Sequence, residues 1–268
     1  WIRVISCSEN EIPDPQIPPH LSGCGENDTE CFNAYQNHFN EVIQPSHDRF
    51  NEFLTECGET TYPVGEFFEA SPHMNLLLYP EPVKFSRSTP LDPGQFQYLE
   101  GCVRDEESFE VPEFKAHNDA PLLYVSFGSL GSGDTGLLKR LMDVISTMPV
   151  RALFNVGDYE SEYDAVPDNV QIASWYPQPS VISQADAVIH HGGNNSFNEC
   201  LYFGKPALIM PYVWDGHDNA KRVAETGHGC HLHRNHWKSK ELRATIESML
   251  TNEAMHERLV ATSAHMRS

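Results

Sequence analysis

The chain lacks any apolar run near the ~20 residues that a membrane-crossing helix requires, so no helical span is expected. It is also short of cations. Lys and Arg number 18 against 38 Asp and Glu, a formal net charge of -20. Nucleic-acid backbones are bound by basic stripes, so a nucleic-acid partner is not expected. A small anion stays open, because a local nest of N–H groups outweighs a distant global charge. No C-x-x-C pair occurs among the seven cysteines, and their number is odd. That argues against a disulfide framework or a zinc knuckle and for a reducing, cytoplasmic setting. There is no D-x-D carboxylate pair to hold a metal-bridged diphosphate and no Gly-Lys-Ser/Thr phosphate loop. Internal repeats and low-complexity tracts are absent too. The chain opens without Met, on an apolar stretch Trp1–Cys7 that reads as a strand of something larger, so a fragment is expected.

What is present is a soluble globular composition, 40% hydrophobic and 21% charged, in 268 residues. After the strand at 1–7 comes a Pro-rich loop to residue 23. A helical pattern then runs from about Thr29 to Glu56, with Pro45 expected to break or kink it. Residues 74–80 and 96–101 read as buried strands. The acidic, aperiodic stretch from Arg104 to Ala120 reads as a linker. Beyond Pro121 strands and helices alternate: strands at 122–129, 151–157, 170–175, 187–191, 207–211 and 230–233, helices at 135–148, 195–203, 215–226, 238–250 and 253–266. That rhythm implies a parallel sheet covered on both faces, with ligands at the carboxyl ends of its strands. Four polar or glycine-rich loops then share one edge: Phe127–Gly131, Trp175–Gln178, His190–Ser196 and Pro211–Asp218.

Each loop has a chemical reading and a plain one. In His190-His191-Gly192-Gly193-Asn194-Asn195-Ser196 a strand turns into a helix, whose N–H groups and dipole suit a phosphate. Either histidine is able to donate to a phosphate oxygen. Against this, Ser196 with Glu199 three residues on makes a capping box that needs no ligand. Trp175 is placed to stack on a base, with Gln178 bonding base or ribose, or else Trp175 is core. The Phe127–Gly133 loop, with Ser129, is able to cradle a phosphate. Asp215 and Asp218 either bind hydroxyls or cap a helix. His228, His231, His233 and His236 cluster, but no carboxylate stands at a ligand-like spacing, so a solvated strand end is expected and no metal.

Taken together, these residues resemble the signature of the UDP-glycosyltransferases, glycosyltransferase family 1. The pattern is Trp175, Gln178, then His191, Gly193, Asn195, Ser196, Glu199, Pro211 and Asp215, preceded by the donor-domain strand at Tyr124–Ser129. The resemblance implies an α/β fold of GT-B type: a Rossmann-like parallel-sheet donor domain with an incomplete Rossmann-like acceptor domain. Residues 1–115 would be the acceptor-domain remnant and linker, and residues 116–268 the nucleotide-sugar domain. It implies inverting, metal-independent sugar transfer from a UDP-sugar to a hydroxyl of a small molecule or lipid. The UDP-sugar is a co-substrate, and no cofactor is implied. By position, Trp175 would stack on uracil and Gln178 contact the nucleoside. Glu199 would hold ribose, while His191, Asn195, Ser196 and Ser129 contact the diphosphate and Asp215 the sugar. Gly216 departs from the pattern, which has Gln there, and Asn194 stands where Trp or Gly is common. No residue of the chain matches the family's general base, which is expected upstream of Trp1, so the chain alone is expected to be inactive. Two other readings stay open: a donor-binding subunit that needs a partner for the acceptor half, and a GT-B nucleotide-sugar epimerase, which requires acid and base carboxylates.

Overall fold

The computed structural model describes residues 1–268. β1 (Ile2–Ile5), β2 (Met74–Leu77) and β3 (Phe96–Tyr98) form a small parallel sheet in that order. Between β1 and β2 lies α1 (Thr29–Glu56), N-capped by Asp28, whose carboxylate accepts from the Cys31 N–H. No helix or strand is assigned between Tyr98 and Leu122. The second half contains β4 (Leu122–Ser126), α2 (Gly128–Gly131), α3 (Thr135–Ile145), β5 (Arg151–Asn155), β6 (Val170–Ala173), α4 (Gln178–Gln184) and β7 (Ala187–His190). It continues through α5 (Asn194–Tyr202), β8 (Ala207–Ile209), α6 (Asp215–Thr226), β9 (Gly229–His231), α7 (Ser239–Thr251) and α8 (Glu253–Met266).

The six strands of this half are all parallel and lie in the order β6-β5-β4-β7-β8-β9. Their sequences are near-continuous apolar runs, as a sheet covered on both faces requires. Every residue of β4 and β7 is buried. α3 presents Leu137, Leu138, Leu141, Met142 and Ile145 to the core, the residues that the 3.6-residue period marked. The chain winds outward from β4 to β6, then returns to start again at β7. Between β4 and β7 the winding reverses, and in such sheets ligands bind at that point.

The halves are tied by buried polar contacts as well as by apolar packing. Tyr79 stacks on Phe197 with ring centroids 5.4 Å apart, a geometry that adds about 0.5–1.5 kcal/mol beyond area burial. From α6, Arg222 donates to the Val83 carbonyl at 2.6 Å, to the Lys84 carbonyl and to Glu26 at 2.7 Å, and lies over the Phe85 ring. Asp218 accepts from the Leu21 and Gly23 N–H groups at 2.7 and 2.8 Å. Asn194, the departure from the family pattern, donates to the carbonyls of Ser6 and Leu78. It fastens the turn after β7 to the loops that follow β1 and β2.

Two expectations are corrected. Cys24 and Cys31 form a disulfide, with Cα atoms 5.8 Å apart. A tight turn brings them together: the Asp28 N–H donates to the Gly25 carbonyl, and Asn27 takes φ 73°. No local spacing rule of the C-x-x-C kind registers that reversal. The cysteine argument for a reducing compartment therefore loses its premise. Second, α1 runs through Pro45 unbroken. Glu41, whose carbonyl loses its partner there, and Pro45 itself are exposed, so the freed carbonyl is not sealed from solvent. No helix is long and apolar enough to cross a membrane.

Cys24→Ser should lower the unfolding free energy by about 2–3 kcal/mol, the loop-closure entropy of a short bridge. A non-reducing peptide map should yield one peptide joining Cys24 to Cys31. Free thiols at both positions would contradict the pairing.

Candidate nucleotide-sugar site

A cleft of about 850 Å³ opens at the carboxyl ends of β4, β5, β6 and β7. Ser129, Trp175, Gln178, His191, Gly193, Asn195, Ser196 and Asp215 all line it. Glu199, the ninth of the residues that the resemblance assigns to the donor, is only 3% exposed and lies behind Gln178. All nine therefore come together at one place.

Trp175 is 56% exposed at the mouth of the cleft, so it is not core. A large aromatic held in water beside a polar cleft leaves its face free for stacking. Gln178 starts α4 and donates from one amide nitrogen to Ser196 Oγ at 3.0 Å and to Glu199 Oε2 at 2.6 Å. Ser196 and Glu199 thus bond to Gln178. The capping-box account fails: α5 begins at Asn194, is preceded by Gly193 and has no side-chain cap. Burial raises the Glu199 pKa, while Gln178 and Arg104 work against that rise.

The two histidines separate. His190 is fully buried, and its Nδ1 accepts from the Gly192 N–H at 3.0 Å, which braces the turn. Burial, with His191 beside it, lowers its pKa to about 3, so it stays neutral. His191 faces the cleft, and its buried Nδ1 has no protein partner. Burial lowers its pKa as well. Orphaned buried nitrogens are rare. A Cβ at Gly128 would stand 3.5 Å from this nitrogen, and one at Gly193, just before α5, 2.7 Å from Nε2, so the ring sits between the starts of α2 and α5.

Glycine is required around this turn. Gly192 has φ 91°, and a Cβ there would stand 2.8 Å from the Gly216 Cα and carbonyl oxygen. A Cβ at Gly216 would stand 2.6 Å from the His191 carbonyl oxygen. The departure at Gly216 thus has a steric reason: here the first turn of α6 packs directly against the histidine turn. Asp215 beside it accepts from the Asn194 N–H at 3.1 Å. Its pKa is raised to about 6, first by burial and then by Asp218, against the Asn194 hydrogen bond. Asp218 is committed to the Leu21 and Gly23 N–H groups and to Ser8, so of the two aspartates only Asp215 faces the cleft. The histidine cluster is structural: His228 bonds Thr226 and Thr262, and His233 stacks on His236.

The sequence model of the family described as "Erythromycin biosynthesis protein CIII-like, C-terminal domain" matches residues 140–268. A sterol 3-beta-glucosyltransferase of Yarrowia lipolytica is 30% identical over 197 residues, 69% of this chain and 13% of that protein. These matches support the chain as a member of the UDP-glycosyltransferase family. Its fold is that of the GT-B glycosyltransferases. The calicheamicin glycosyltransferase CalG4 superimposes with a TM-score of 0.75 at 18% identity, over 99% of this chain and 63% of that one. The spinosyn rhamnosyltransferase SpnG, solved with thymidine diphosphate, gives 0.61 at 19% identity over 81% and 57%. Measured against these glycosyltransferases, the chain spans less than two thirds of each one's length.

Sequence reasoning missed several residues of this cleft. Asn155, the last residue of β5, and Gly157, Asp158 and Tyr159 just after it line the cleft. The rule that ligands meet strand carboxyl ends would have found them had it been applied to that strand. Arg104, from the irregular stretch before β4, also lines it and had no local signal.

The folded-state pKa of Asp215 lies above its unfolded value, so protonation favours folding, and that contribution is lost as pH rises through about 6. Asp215→Asn mimics the protonated form. Thermal melts should show it about 1–3 kcal/mol more stable than the parent at pH 7.5, with the gain vanishing near pH 4. An equal difference at both pH values would contradict the assignment.

Proposed function

We propose that the chain carries the donor side of a UDP-sugar-dependent glycosyltransferase that moves a sugar to an acceptor hydroxyl, of a small molecule or a lipid, with inversion and without a metal. One observation carries this reading above others. An exposed Trp175, the Gln178–Glu199–Ser196 network and the unpartnered His191 nitrogen converge on one cleft, at the point where the strand order reverses. In the same proposal residues 1–115 are the acceptor-side remnant and linker, and residues 116–268 the donor domain.

Each part of the donor then meets a matching group. The base stacks on Trp175 and the ribose hydroxyls bond Glu199 and Gln178. The diphosphate lies over the first turn of α5, against His191, Asn195, Ser196 and Ser129, while Asp215 accepts from the sugar. The acceptor oxygen attacks the anomeric carbon from the face opposite the diphosphate. As that bond forms, the carbon–oxygen bond to the diphosphate breaks and its electron pair leaves with the nucleotide. Charge grows on the leaving oxygens, where the helix dipole, backbone N–H groups and His191 are already aimed. Such donors supply about 2.7–4 kcal/mol each in comparable sites. They do the work that a D-x-D-bound cation does elsewhere, which supports metal independence. The acceptor proton passes to a base on the acceptor side, a task assigned to none of the nine donor-side residues.

UDP at one hundred times its Kd should stabilise the chain by about 2.7 kcal/mol, read as a rise of several degrees in Tm. Trp175→Ala and His191→Ala should each remove most of that rise, and EDTA should leave it unchanged. No shift at saturating UDP would overturn the site, and a chelator-sensitive shift would overturn metal independence.

A further inference from the structure

Arg104 is the only Lys or Arg among the residues lining the cleft. It comes from the irregular stretch between β3 and β4, outside every motif. Its Nη1 lies 3.2 Å from Glu199 Oε1, and its Nε bonds Glu106. Glu199 is buried and Arg104 is about half exposed, so the guanidinium stands between the carboxylate and the open cleft.

A carboxylate offers about four lone-pair sites. At Glu199 one site on Oε2 is taken by Gln178 at 2.6 Å, and one on Oε1 by Arg104. One site remains on each oxygen, the number needed for the two vicinal hydroxyls of a ribose. We propose that Arg104 is a positioning residue that holds Glu199 oriented for the 2′- and 3′-hydroxyls of the donor, and so sets the preference for a ribonucleotide over a 2′-deoxyribonucleotide. This rests on the donor-site reading above and extends it to a residue outside the family pattern.

The surroundings explain why a cation is needed. The groups facing Glu199 are Gln178 and Ser196, the Tyr124 hydroxyl, the Cys200 thiol, and Glu106 beside Arg104. Burial and Glu106 both favour the protonated acid, and Arg104 is the only cation opposing them. A protonated Glu199 loses acceptor capacity on one oxygen, so one ribose hydroxyl loses its partner. Without Arg104, Glu199 should therefore protonate at a higher pH than in the parent.

The test is calorimetric titration of the 268-residue chain and of Arg104→Met with UDP and with 2′-deoxy-UDP, from pH 5 to 8. Arg104→Met should weaken UDP binding by about ten-fold, roughly the loss of one charge-assisted contact. It should change 2′-deoxy-UDP binding far less, so the UDP preference of the parent collapses. The fall in UDP affinity with acid should also begin at a higher pH in the variant, and Arg104→Lys should restore part of the preference. Tighter UDP binding by Arg104→Met would make Arg104 a plug and overturn the inference. Equal weakening for both nucleotides with an unmoved pH profile would overturn it too, since Arg104 would then act on the diphosphate or on folding. Binding of neither nucleotide by the parent would remove the donor site itself, and this inference with it.

Discussion

The reversal of strand order between β4 and β7 governs the cleft. Each crossover from β4 to β6 winds to one side, and the chain then returns to begin again at β7. The loops leaving β4 and β7 therefore diverge instead of covering one another, and a crevice opens between them. The loop after β4 carries Ser129, and the loop after β7 carries His191 and the start of α5. The end of β5 and the loop after β6 bring Asn155 and Trp175 to the same edge. Side chains far apart in the sequence meet there because strand direction, not local motif, decides where a loop emerges.

An acidic chain with a proposed anion site in its cleft is only superficially a contradiction. The cleft's donors are largely uncharged: backbone N–H groups, hydroxyls, amides and a neutral histidine. In a partly desolvated cleft, aligned dipoles act at short range, whereas surface carboxylates are screened over about 8–10 Å at physiological salt. The one cation in the wall, Arg104, is spent on Glu199. Rigidity is supplied by close backbone packing. Gly192 lies against Gly216, and Asn194 reaches across to the loops after β1 and β2, so the histidine turn is fixed from both sides.

Much of this was legible in the sequence wherever period and punctuation agreed. α6 and α8 were read at their observed bounds, because each has an amphipathic run between clear start and stop signals. α4 was missed. Its seven residues begin between Pro177 and Pro179, which read as loop although proline is well suited to a helix's first turn. The cysteine rule failed because the Cys24–Cys31 pair depends on a turn, and the capping box failed because Glu199 turns toward Gln178 instead of back to its own helix. Arg104 was invisible for a related reason: a linker residue acquires a role only when the tertiary fold lays it over a buried carboxylate. The nine candidate donor residues gather at one cleft, and the structure separates His190 from His191 and Asp218 from Asp215.

The central claim is that a nucleotide diphosphate sits at the β4–β7 reversal, with its phosphates on the first turn of α5. The most direct measurement is a structure of the chain with UDP bound. The account requires the uracil ring over Trp175, the ribose hydroxyls at Glu199 and a phosphate oxygen within hydrogen-bond reach of His191 Nδ1. UDP bound elsewhere on the surface, or in this cleft with its phosphates directed away from α5, would contradict it.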